Sequence, residues 1–295
     1  MKFVTVSYNN VQKTGIMNHD LTQVIFFDSL GLTKQYSSLV DFIENYSTSD
    51  FEALCGAAKT QTGVSAEQVK FCAPIPDPKR DVICLGLNYM DHVQESNRAH
   101  DRDFMERSKA VYFGKRVDRA IGTGEAIQSH RDITNRLDYE VELAVIMGKN
   151  KGRYIEGEAI LESIFGYTVL NDVSARELQH GHNQWYLGKG LDGFTAMGPW
   201  IVTKDEIKNH GDLTITSKVN NELRQNNNTK NMIFSIEHVI EELTKGITLY
   251  PGDIIATGTP SGVGMGFNPP KFLAPGDIVS CEIEQIGVLS NKVGD

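Results

Sequence analysis

From Leu137 to Met147 the chain reads Leu-Asp-Tyr-Glu-Val-Glu-Leu-Ala-Val-Ile-Met, an apolar run interrupted by acidic residues at alternate positions. Side chains of a strand alternate between its two faces. A strand over Val141–Met147 therefore puts Glu140, Glu142, Ala144 and Ile146 on one side. Val141, Leu143, Val145 and Met147 make the other side wholly apolar. Other short apolar runs predict strands at Phe3–Tyr8, Lys13–Met17, Gln23–Phe27, Val82–Leu85, Ala110–Phe113 and Gly166–Leu170. Further strands are expected at Trp200–Thr203, Leu213–Val219, Asp253–Thr257 and Asp277–Glu284. Helical spacing is confined to Ser38–Tyr46, Ser49–Lys59, Gly157–Ile164 and Ser235–Thr244; in the first, Leu39, Phe42 and Ile43 share a face. Strand and helix do not alternate regularly, and Pro-Gly-Asp turns at 251–253 and 275–277 punctuate the strands. The pattern predicts a mainly β protein with a few helices (α+β), mostly antiparallel and rolled or barrel-like.

The segment Ala73-Pro-Ile-Pro-Asp-Pro-Lys-Arg80 holds three of the nine prolines, which excludes regular helix and central strand. It reads as a linker between a small N-terminal α+β module, residues 1–75, and a larger β-rich domain, residues 76–295. With 40% hydrophobic and 23% charged residues the composition is that of a soluble globular protein. No apolar run is long enough to cross a bilayer, and the N-terminus reads as a strand, not a signal peptide. Net charge is −9 and no basic run is present, which argues against nucleic-acid binding. Cys55, Cys72, Cys84 and Cys281 show neither close pairing nor metal-ligand spacing, so a reducing, cytoplasmic setting is expected.

Two carboxylates aimed into one buried space repel, so either one takes up a proton or a cation neutralises both. Glu140 and Glu142 thus point to a divalent metal with oxygen ligands, or else to an edge strand with its acids in water. Asp172 stands where the apolar run Gly166–Leu170 gives way to polar residues. It is either a cap for the next turn or a third oxygen ligand. If that turn is helical, Arg176 and Gln179 project the same way as Asp172. In a helix capped by Asn88, His92 and Glu95 lie three apart and share a face. Such a pair is either a surface contact or an oriented general base. Lys189 lies between two glycines, and is either solvated or a ligand contact. His180 and His182 have no thiolate or third histidine with them, which disfavours zinc. The turn Gly258–Gly264 lacks the lysine of a phosphate loop; its amides and the Thr259 hydroxyl could hold a carboxylate.

In this order the segments resemble the fumarylacetoacetate hydrolase family over roughly residues 73–291. The motifs are Gly86-Leu-Asn-Tyr-x-x-His-x-x-Glu95, Asp138-Tyr-Glu-Val-Glu-Leu143, Asn171-Asp172 through Arg176 and Gln179, Lys189-Gly-Leu-Asp192 with Met197–Trp200, Val219–Gln225, and Pro251-Gly-Asp through Thr257–Gly264. The resemblance implies a β-roll catalytic domain, generally in a homodimer. Glu140, Glu142 and Asp172 would be ligands for magnesium, or for manganese or calcium. His92 and Glu95 would be a water-activating dyad on a closing lid. Arg176, Gln179 and Lys189 would hold the substrate's carboxylate and oxyanion, with Thr259 and Tyr89 at substrate-binding positions. Departures are the charged stretch Asp101–Lys109, Arg116 where proline is usual, and Gly190 where serine is common.

With a dication, three carboxylates, Arg176 and Lys189 sum to about one positive charge, enough to draw in a dianionic keto acid. The activity expected first is hydrolysis of a carbon–carbon bond in acylpyruvate- or fumarylpyruvate-like acids through an enolate. Oxaloacetate decarboxylation or tautomerisation, and isomerisation of 2-hydroxy-hepta-2,4-diene-1,7-dioate type, use the same enolate. A metal-binding protein without catalysis is the alternative of a different class.

Overall fold

The computed structural model describes residues 1–100, 108–150 and 152–295. Five strands lie in the first 75 residues: β1 (Lys2–Tyr8), β2 (Val11–Met17), β3 (Gln23–Phe26), β4 (Val64–Ser65) and β5 (Lys70–Phe71). Helices α1 (Leu39–Asn45) and α2 (Thr48–Thr60) fall between β3 and β4. There follow β6 (Val82–Gly86), α3 (Met90–His100), β7 (Val111–Lys115), β8 (Leu137–Asp138), β9 (Val141–Met147) and α4 (Glu158–Ser163). Then come β10 (Ile164–Asp172), β11 (Ser174–Ala175), α5 (Arg176–Gly181), α6 (Tyr186–Lys189) and β12 (Thr195–Thr203). The chain ends through β13 (Thr214–Val219), β14 (Glu222–Asn228), α7 (Ile236–Thr244), β15 (Ile254–Ala256), β16 (Ile278–Ile283) and β17 (Gly287–Lys292).

One large sheet runs β4-β3-β2-β1-β12-β10-β9-β15-β6-β7, with β5 added on β1. It is open, with β4 and β7 at its ends, and no closed barrel forms among the described residues. A separate four-stranded sheet runs β14-β13-β16-β17. Strand β9 sits inside the large sheet, between β10 and β15. Its Val141, Leu143, Val145 and Met147 pack into a core with Ile215, Val279 and Ile283 of the small sheet and Val239 and Ile240 of α7. Its Ala144 and Ile146 pack into a second core with Phe3, Leu39 and Phe42. The alternation read in the sequence is therefore real, and both faces are buried, which rules out an exposed edge strand.

Residues 1–75 join the large sheet: β1 pairs antiparallel with β12, Lys2 opposite Val202 and Phe3 opposite Ile201. Ring centroids of Phe3 and Phe165 lie 5.1 Å apart, so the first strand packs on the strand that ends in Asp172. Helix α2 starts with a capping box between Ser47 and Asp50. The Asp50 carboxylate also accepts from the Thr33 amide and the hydroxyls of Thr33 and Tyr36, each at 2.6 Å, which fastens the incoming loop.

Besides the two-residue strands β4, β5, β8 and β11, two longer strands among the described residues were not anticipated in the sequence. Strand β14, Glu-Leu-Arg-Gln-Asn-Asn-Asn, is polar and has weak strand propensity. It forms because Asn220 and Asn221, with φ of 50° and 66°, make a hairpin turn that hands it to β13. Strand β17 is likewise half polar and gains its place from pairing with β16.

The fully buried Phe3 joins the N-terminal strands to β10. Phe3→Ala should lower unfolding free energy by about 3–5 kcal/mol. Guanidinium denaturation followed by circular dichroism measures this; a loss below about 1 kcal/mol would show that the aromatic cluster carries little of the fold's stability.

Candidate active site

Strands β9 and β10 lie side by side, with Glu142 opposite Leu170, and the Asp172 amide donates to the Glu140 carbonyl at 2.9 Å. This register brings one carboxylate oxygen each from Glu140, Glu142 and Asp172 within 4.8 Å of one another, all buried. Asp172 ends the strand rather than capping a helix. Its alignment with Arg176 and Gln179 is not helical either: helix α5 begins at Arg176, and Asp172 reaches the same place from the strand.

Three cations surround these acids. Lys189 Nζ lies 2.7 Å from both Glu140 Oε2 and Asp172 Oδ2. Arg176 Nη1 is 2.7 Å from Glu140 Oε1. Lys115 Nζ is 2.7 Å from Asp172 Oδ1 and also donates to the carbonyls of Val173 and Lys189. Burial alone would raise the Glu140 carboxyl, yet Lys189 and Arg176 bring it down to about 2. Glu142 behaves oppositely. Its Oε2 accepts from the Gly258 amide at 2.8 Å, and no lysine or arginine pairs with it among the described residues. Burial, with Asp172 and Glu140 beside it, pushes its carboxyl well above the usual range.

With Asp138, which holds Arg176, the cluster has four carboxylates against three cationic side chains. One further cation would let Glu142 ionise. A set of three carboxylate oxygens suits a hard dication, so Glu140, Glu142 and Asp172 fit a metal of that kind.

Arg176 is fixed on several sides. Its Nε donates to Asp138 Oδ2 at 2.9 Å and its Nη1 to Gln179 Oε1 at 2.8 Å. Its Nη2 is buried without a partner among the described residues. Because Gln179 gives its carbonyl oxygen to Arg176, its amide nitrogen is the end left to donate. Asp138 in turn accepts from the amides of Tyr139, Gly264 and Met265.

On helix α3, His92 Nδ1 is 3.0 Å from Glu95 Oε2, and both side chains are buried, so this is not a surface pair. Glu95 Oε1 accepts from the Gly262 amide at 2.9 Å. Asp91 Oδ2 accepts from Asn227 Nδ2 and the Ser261 hydroxyl, each at 2.7 Å. The helix that carries the dyad is thereby fastened to the glycine-rich turn. Asn88 does not cap this helix; it accepts from the Phe234 amide and donates to the carbonyls of Phe234 and Thr257, tying three segments together. Most of the charged stretch read as part of a lid, Asp101–Arg107, lies outside the described residues.

Several of these groups line one cavity, whose empty space is about 460 Å³ with its opening to solvent included. His92, Glu140, Glu142, Arg176, Gln179 and Lys189 supply its polar lining; Leu85, Phe113, Trp185 and Met265 supply an apolar wall. Thr259 also lines it, but its hydroxyl donates to the Val141 carbonyl at 2.9 Å and accepts from Gln225 at 2.7 Å. Tyr89 is fully buried outside this lining, its hydroxyl without a partner among the described residues.

Two contributors were not assigned from the sequence: Lys115 and Asp138. Each had a signal. Lys115 closes the strand Val-Tyr-Phe-Gly-Lys, where a charged side chain must find a buried partner. Asp138 continues the alternate acidic positions ahead of Glu140.

Glu142→Gln removes one oxygen anion and the only acid of the three without a basic partner. Calorimetric titration with magnesium should show affinity reduced by at least about tenfold. Unchanged affinity would dismiss Glu142 as a ligand.

Residues 81–294 match the family model described as fumarylacetoacetate (FAA) hydrolase C-terminal. Over 230 residues the chain is 47% identical to the oxaloacetate tautomerase YisK of Bacillus subtilis (strain 168), covering 78% of this chain and 75% of that protein. Its structure is similar to that of a fumarylacetoacetate hydrolase from psychrophilic Exiguobacterium antarcticum, with a TM-score of 0.81, 35% identity, and coverage of 100% of this chain and 99% of that one. It is also similar to maleylpyruvate hydrolase from Sphingobium sp. SYK-6 in complex with manganese(II) and pyruvate, with a TM-score of 0.74, 26% identity and the same coverage. With the family model matching residues 81–294 and a 47% identical relative aligned over 78% of the chain, the chain belongs to the fumarylacetoacetate hydrolase family.

Proposed function

We propose that this enzyme interconverts the enol and keto forms of a short 2-oxo dicarboxylate of the oxaloacetate class. The observation that carries the reading is that His92, held by the buried Glu95, lines one cavity with Glu140 and Glu142 of the carboxylate triad. The 47% identical relative named as an oxaloacetate tautomerase supports the choice of reaction. A divalent cation, magnesium first and manganese or calcium otherwise, would be held by Glu140, Glu142 and Asp172 and would supply a Lewis acid for the negative charge of an enolate.

The chain's own groups do the rest. With Nδ1 tied to Glu95, His92 has Nε2 free to carry a proton between the enol hydroxyl and C3 of the substrate. The ionised Glu95 balances the imidazolium that exists between the two transfers. Arg176 Nη2 and the Gln179 amide nitrogen are donors left for a substrate carboxylate. The apolar wall keeps bulk water from the enolate. The partner is a small keto acid; a homodimer accompanies this reading through the family resemblance, and a cytoplasmic setting through the four unpaired cysteines.

A second reading rests on the same dyad. His92 could instead take a proton from water, which would then attack the distal carbonyl of an acylpyruvate and release pyruvate. The manganese- and pyruvate-bound hydrolase among the structural relatives favours keeping it.

The test is an assay with magnesium, following loss of enol absorbance of oxaloacetate and, separately, pyruvate from acetylpyruvate. Enol decay well above the uncatalysed rate, without pyruvate, is expected. Rapid cleavage of acetylpyruvate with no effect on the enol would favour hydrolysis, and inactivity on both with intact metal binding would favour a non-catalytic protein. His92→Ala should lower kcat/KM for ketonisation by about 10²–10⁴ while sparing much of any metal-assisted decarboxylation. Equal loss of both would remove His92 from the proton-transfer role.

A further inference from the structure

The apolar side of the cavity has a feature that neither the proton-transfer groups nor the triad accounts for. Gly86, the last residue of β6, faces the indole of Trp185. A Cβ on Gly86 would stand 2.8 Å from Trp185 Cη2 and closer still to Cζ3. Gly86 is absent from the residues with positive φ, so its backbone does not call for glycine. What calls for it is room for the indole. The ring then meets Phe113 edge-on, centroids 5.2 Å apart at 73°, and Phe113 lies 5.4 Å from Lys189 Nζ. All four residues line the cavity that Glu140 and Glu142 also line.

Trp185 is half-buried, so truncation opens the cavity toward solvent instead of leaving a sealed void. Its structural duty is met by the main chain: the Trp185 carbonyl accepts from the Lys189 amide at 3.0 Å and starts the turn that carries Lys189. The side chain is thus free to serve as a wall. We propose that Trp185, seated in the gap left by Gly86, sets the length of the acid this site accepts, admitting the compact oxaloacetate class and turning away 2-oxo acids with a longer acyl tail. The proposal rests on the functional reading above and adds to it which substrates are refused.

The experiment compares oxaloacetate with acetylpyruvate and its butanoyl and hexanoyl homologues, in the magnesium-loaded enzyme and in Trp185→Ala and Trp185→Phe. The rate is enol ketonisation, and calorimetric affinity is measured for each acid. Wild type should favour the short acids. Trp185→Ala should raise the preference for hexanoylpyruvate over oxaloacetate by at least about tenfold, chiefly through KM, with Trp185→Phe intermediate. Gly86→Ala should weaken binding of every acid, and Trp185→Ala in the same chain should relieve that defect. A merely structural tryptophan would give no gain on the long acid and no relief. An unchanged preference in folded Trp185→Phe, or a wild type that takes the hexanoyl acid as well as oxaloacetate, would overturn the proposal. If wild type turns over none of the acids, the functional reading falls. The length limit is then decided by the calorimetric affinities, and equal affinities across the series overturn it.

Discussion

Four carboxylates and three basic side chains are packed out of water around one end of β9, and the rest of the site depends on their mutual neutralisation. Removing an ion from water costs several kcal/mol even after relaxation. No single pair here could sustain that. Lys189 bridges Glu140 and Asp172, Arg176 bridges Asp138 and Glu140, and Lys115 closes the far side of Asp172, so each charge is shared. Glu142 stands outside this sharing, and its raised carboxyl marks the place where positive charge is short. The architecture therefore stores a local demand for a cation in an otherwise satisfied network.

The fold makes such a cluster possible by burying both faces of the strand that carries it. One face rests on the small sheet and α7, the other on the N-terminal helices. The residues before the proline-rich segment are consequently not a remote appendage. They contribute strands to the same sheet and aromatic rings against β10, whose end presents Asp172.

Much of this was legible in the chain. The period-two pattern of 138–147 located the central strand and assigned its faces, because alternation is a local property that tertiary packing only has to respect. Glu140 and Glu142 could be paired for the same reason, whereas the residues alone left Asp172 and the His92–Glu95 pair open, and their roles came from the family resemblance. What escaped notice was non-local. The pairing of Lys115 with Asp172 joins residues 57 positions apart, and no periodicity encodes it. Asn88 looked like a cap because asparagine often is one; its amide is spent instead across 146 positions on Phe234. The polar strand β14 exists through its turn and its neighbour, not its own propensity. Thr259 and Tyr89 show the converse. Family resemblance marks the positions, but one hydroxyl is committed to the main chain and the other lies outside the cavity lining.

The glycine-rich turn after β15 directs main-chain amides at three different acids: Gly258 at Glu142, Gly262 at Glu95, and Gly264 with Met265 at Asp138. Peptide nitrogens do not titrate, but the turn that presents them tolerates little sequence change: Gly258 and Gly262 have φ of 94° and 104°, and a Cβ on Gly264 would lie 2.5 Å from the Lys271 carbonyl oxygen. The turn also makes the three acids mechanically interdependent. A shift of that one turn would reach Glu142 of the acidic triad, the histidine's partner and the arginine's anchor together, so the site can loosen only as a whole.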